Sequence, residues 1–137
     1  MNESLTNGRA NYLIHEHIFG ECWHEWKSNS LGDRYACIRV NCFAIATNGT
    51  PVNPDYCGNI SDAFTVVEKL RVEWFEANPD ETYFWKFTDC CEHGWRVDIE
   101  FGHHDGDAEI ADAVNESLPK AICLAALKAK GIEVNEK

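Results

Sequence analysis

The stretch FGECWHEW, residues 19–26, sets Cys22 and His24 on either side of Trp23, with Trp26 two residues further on. Residues i and i+2 of an extended segment point to the same side, so this thiol and imidazole can share one metal ion and supply half of a tetrahedral site. Two other clusters combine thiols, imidazoles and carboxylates: DCCEHG at 89–94 and GHHDGD at 102–107. They flank opposite ends of a strand, which separates them by more than about 20 Å, so they do not form one site. HHDGD lacks the spaced acids and closing glutamate of a calcium loop, and His104-Asp105 alone is thin support for a metal phosphohydrolase, so a solvated acidic loop is expected. His17 falls on the apolar stripe of a helix and is read as a hydrogen-bonded histidine at the core edge. No nucleophile elbow, phosphate-binding glycine loop or dinucleotide fingerprint is present. The aromatic residues Trp23 and Trp26 are candidates to stack on a ligand ring, with Arg96 or Arg39 to hold a phosphate.

These groups need elements to position them. Ala10, Leu13, Ile14, His17 and Ile18 recur at helical spacing, and Gly20 follows as a stop, which predicts a helix over 10–19. YACIRVNCFAIA, 35–46, is rich in strand formers, and the turn residues of 47–59 follow it. Ser61 is the expected cap of a second helix, which presents Ala63, Val66, Val67, Leu70 and Trp74 on one stripe and ends at the NPD of 78–80. TYFWKF and GWRVDIEF read as two strands. In the second, Trp95, Val97, Ile99 and Phe101 face one way and Arg96, Asp98 and Glu100 the other. A last helix is capped by Ser117, accepts Pro119 in its first turn and stops at Gly131. Its centre, AICLAAL, is apolar nearly all round, so it must be covered on more than one side, and Cys123 within it is packing.

The whole is expected to be one α/β domain of the α+β type over residues 1–137, with about three helices packed on a short, mainly antiparallel sheet. Its 137 residues suffice for a core without disulfides. Seven cysteines, two of them adjacent, do not suit a secreted disulfide framework, so reduced thiols and a cytoplasmic location are expected. No targeting segment or long apolar run is read at the amino terminus. A formal charge of −11 opposes duplex nucleic acid and anionic membranes as partners.

The first helix running into CWHEW, the segment NPDYCGNISDAFTVVEKL, the strand GWRVDIEF and the terminal LPKAICLAALKAKGI together resemble the phage ABA sandwich domain family. The resemblance covers most of the chain and implies an α-β-α layered fold and a phage or prophage source. It implies no reaction. Similar sequences carry a Cys-x-His segment followed by Cys-x-x-Cys, which suggests a small zinc knuckle within residues 20–58. Here the second pair is Cys37 and Cys42, with four residues between the thiols. On a regular strand those two would lie about 16 Å apart and on opposite faces. Convergence of Cys22, His24, Cys37 and Cys42 on zinc therefore requires a turn at Ile38 to Asn41, where Ile-Arg-Val without glycine prefers strand, and a degenerate knuckle of reduced thiols is expected.

Three functions follow as expectations. The first is a non-enzymatic phage accessory protein that binds a host protein or a small ligand, with sequestration of a nucleotide immune signal as its most concrete form. The second is a metal-dependent hydrolase built on the histidine and acid loops. The third is a zinc-stabilised adaptor that presents a surface to a host protein.

Overall fold

The hydroxyl of Thr6 accepts the Arg9 N–H at 3.2 Å, and this cap starts α1, Asn7–His17. A computed structural model describes residues 3–4, 6–47, 51–78, 82–90, 92, 94–103, 106–132 and 135–136. The elements that follow β1, Glu3–Ser4, and α1 are β2, Trp26–Ser28; β3, Tyr35–Cys37; β4, Ile45–Ala46; α2, Ile60–Ala77; β5, Thr82–Asp89; β6, Trp95–His103; β7, Gly106–Asn115; α3, Leu118–Ala129; and β8, Asn135–Glu136. All strand pairs are antiparallel, in sheets ordered β2-β3-β4 and β5-β6-β7, with β1 paired to β8. The α+β architecture expected from the sequence is the one observed.

The last helix organises the core. Every residue from Lys120 to Leu127 is buried, because α3 lies against β6 and β7 and also against α1 and α2. Its alanines at 121, 125 and 126 keep the side-chain layer thin and allow this close approach on several sides. Val97 and Ile99 of β6 meet it from the sheet, and Val66 and Leu70 belong to the same cluster from α2.

Three sequence expectations need correction. The cap of α2 is Asn59, whose side chain accepts the Asp62 N–H at 3.0 Å, so the helix begins before Ser61. The stretch after Phe101 is not simply a solvated loop: β6 continues to His103 and β7 begins at Gly106, with His103 opposite Gly106. Residues 104 and 105 lie outside the described residues. His17 is exposed, and the buried histidine of α1 is His15. The buried arc is turned toward Asn11 and His15 because both find polar partners in the loop before α2. Asn11 Nδ2 donates to Asp55 Oδ1 at 3.0 Å, Asn11 Oδ1 accepts the Cys57 N–H at 2.9 Å, and His15 Nδ1 lies 2.7 Å from the Tyr56 hydroxyl. Polar residues spaced i, i+4 can thus form a docking face when their hydrogen bonds are met.

Candidate metal centre

The run from 35 to 46 is not one strand. It breaks after Cys37 and turns through Arg39–Val40–Asn41–Cys42, where the Cys42 N–H donates to the Arg39 carbonyl at 3.2 Å. Asn41 has φ +63°, the left-handed conformation that asparagine tolerates far better than a β-branched residue. The Cys37 N–H donates to the Ala44 carbonyl at 3.0 Å, so the turn closes a hairpin that folds Cys42 back toward Cys37. The sequence feature that marks this turn is Asn41, which takes the place of a glycine.

The consequence is convergence. One ligand atom from each of Cys22, His24, Cys37 and Cys42 lies within 4.8 Å of all the others. The Cys22 and Cys37 sulfurs are 3.9 Å apart, and Cys42 Sγ is 3.4 Å from His24 Nδ1. A tetrahedron with metal–sulfur bonds of about 2.3 Å and metal–nitrogen bonds of about 2.0–2.1 Å has edges of about 3.8 Å and about 3.6 Å. The two measured edges match these, and three sulfurs with one imidazole are a donor set that zinc favours.

The surroundings favour a thiolate at Cys37. Burial pushes its thiol up, but the backbone N–H groups of Arg39 and Glu25 and the His24 ring outweigh this and bring it down to about 6. The Glu25 N–H donates to Cys37 Sγ at 3.4 Å. Burial, followed by hydrogen bonds with Cys42 and Cys37, pushes Cys22 up to about 11. A group of thiols that shares one negative charge suits a bound cation.

Arg39 fastens this hairpin to α1. Its Nη1 donates to Glu16 Oε2 at 2.8 Å and to the Trp23 carbonyl at 3.0 Å, and its guanidinium lies 5.5 Å from the centre of the Tyr12 ring. Asn53 Nδ2 donates to the His24 carbonyl at 2.9 Å from the other side.

The candidate ligand-binding residues are placed as follows. Trp23 meets His15 edge-on at 5.5 Å, and Trp26 lies 4.6 Å from the His24 ring with its indole nitrogen buried. Arg96 lies on the outer face of the larger sheet. Its Nη2 is 3.1 Å from Asp98 Oδ1, 3.1 Å from Asp112 Oδ2 and 3.7 Å from Glu109 Oε1. Those three carboxylates cluster closely enough to hold a metal ion, and Arg96 is the cation among them. Asp98, expected on the wetter face, is buried there because Arg96 partners it with both Nε and Nη2. Of DCCEHG, Cys91 and His93 lie outside the described residues, as do His104 and Asp105 of the second loop.

A small α+β domain carrying a cysteine–histidine cluster in a side hairpin is the class that fold and site define. The model of the phage ABA sandwich domain matches residues 13–127, and the chain belongs to that family. No curated protein and no solved structure matches it. Among the described residues no helix is long and apolar enough to cross a membrane.

Proposed function

We propose that this is a non-enzymatic phage accessory protein in which residues 20–58 are a zinc-stabilised adaptor presenting a surface to a host protein. The observation that carries the reading is the convergence of Cys22, His24, Cys37 and Cys42 with tetrahedral edge lengths. Four protein ligands complete the coordination of zinc and leave no position for water or substrate, so the ion would hold the hairpin in shape and do no chemistry. Among the described residues the histidine and acid loops bring together no comparable set of ligands, which ranks a metal-dependent hydrolase built on them below the adaptor.

Sequestration of a nucleotide signal also ranks below it. Such a ligand needs an open ring face and a guanidinium free for phosphate, whereas Trp23 and Trp26 are packed on histidines and Arg96 is surrounded by acids. Elemental analysis of the purified protein tests the adaptor reading. Zinc equimolar with the chain that survives dialysis, and loss of the 20–58 fold on chelation, is the expected result. A chain that is folded throughout without metal would overturn it.

A further inference from the structure

Twelve large hydrophobic side chains stand exposed among the described residues, and half of them, Leu31, Ile38, Val40, Phe43, Ile45 and Val52, belong to residues 31–52. Val40 is 88% exposed and Phe43 89%. Strand register brings several of them together. Lys27, Ala36 and Ile45 are aligned across β2, β3 and β4, Arg34 and Ile38 line one groove with Lys27 and Ala36, and the Cys37 N–H bond to the Ala44 carbonyl extends the β3–β4 pairing to the residue beside Phe43. An open groove of about 420 Å³ runs along this face past Lys27, Arg34, Ala36 and Ile38.

The charge here is opposite to that of the chain. Residues 26–46 contain three bases and one acid in a protein of net −11. Arg39 is taken by Glu16, and Asp33 accepts a hydrogen bond from Asn29 Nδ2 at 2.8 Å. Lys27 and Arg34 have no carboxylate partner among the described residues.

We propose that this face of the hairpin sheet docks an extended acidic segment of another protein, its acids meeting Lys27 and Arg34 and its apolar side chains covering Ile38, Phe43 and Ile45. The inference deepens the adaptor reading and rests on it. One exposed ring, Phe43, and two cations without a carboxylate partner are too few to stack successive bases and hold a phosphate backbone against the field of the chain, which disfavours nucleic acid. A two-fold pairing of this face with a second copy would bring its unpaired cations toward one another. Apolar area rimmed by unpaired charge is instead the composition of a surface that a complementary chain covers, and β2 is an edge strand able to pair with an extended segment.

Selection of a displayed library of random peptides of about ten residues on the zinc-loaded full chain tests this. Enriched peptides are expected to be acidic with interspersed apolar residues, and the double variant K27E/R34E, as well as F43D, should weaken them at least about tenfold. All three positions are exposed, so the fold is retained. Basic or no enriched peptides, equal binding to K27E/R34E, tighter binding of an oligothymidine, or a dimer that F43D dissolves would each overturn the proposal. Zinc measured on the same samples separates the two readings. A metal-free chain that still selects acidic peptides keeps the docking face and ends the metal reading, whereas a zinc-loaded chain that selects none does the reverse.

Discussion

The guanidinium of Arg39 and the carboxylate of Glu16 meet at 2.8 Å, joining the turn between two candidate metal ligands to the last turn of α1. Burial pushes the Glu16 carboxyl up, but hydrogen bonds to Arg39 and Tyr12 hold it below its ordinary value. Both partners are mostly covered, so the pair is worth more than a solvated surface bridge. R39A should lower the midpoint of denaturant unfolding. Amide exchange should rise in residues 22–46 and stay slow in β5 to β7; uniform acceleration would show that Arg39 does not act as a local fastener.

The left-handed backbone at Asn41 makes a second test. N41G should leave the hairpin and its zinc affinity unchanged. N41V, forced into the same conformation, should cost about 1–2 kcal/mol and weaken zinc retention in a chelator competition. Equal zinc retention by the two variants would dissociate the turn from the metal site.

Asp98 and Glu109 should respond to pH in opposite senses. Burial pushes Asp98 up, but Arg96 and Glu109 more than offset this and leave it below the ordinary carboxylate value. Its contribution is therefore present at neutral pH and lost as pH falls through the depressed value. Glu109 is pushed up, first by its hydrogen bond to Asp98, so its charged form opposes the fold at neutral pH and its protonation relieves that opposition. At pH 7, D98N should destabilise by about 1–3 kcal/mol, whereas E109Q should raise the thermal midpoint. Carboxyl NMR titrations with the two groups in the reverse order would refute the assignment.

Gly94 precedes β6 with φ +89°, and a Cβ there would collide with the Asn115 carbonyl oxygen and Glu116 Cα. Both obstacles are backbone and cannot rotate away. G94A should therefore cost more than about 1 kcal/mol, measured by thermal unfolding, and a neutral outcome would mean that Gly94 does not hold this positive φ against residues 115 and 116.

The helices were legible where local chemistry and tertiary packing agree. The apolar stripe of α2 and the cap and alanines of α3 each state their burial without help from distant residues. β7 is not legible in the sequence because its inward residues at 111 and 113 are alanines set among acids, a pattern close to that of a polar loop. The wrong histidine on α1 has the same origin. His15 looks polar until Tyr56, far along the chain, supplies its hydrogen bond. At the candidate metal centre the four side chains are visible as residue types, but their convergence depends on one asparagine accepting a rare backbone conformation.

The docking of α1 also sets an order of events during synthesis. This helix leaves the ribosome before its partners: Asn11 and His15 find theirs only when residues 55–57 have emerged, and Ile14 is enclosed only after α3 has followed. An eleven-residue helix is marginal in water on its own. The nascent chain must therefore carry α1 unfinished until α3 has emerged, so the first helix of this fold is among its last parts to become native.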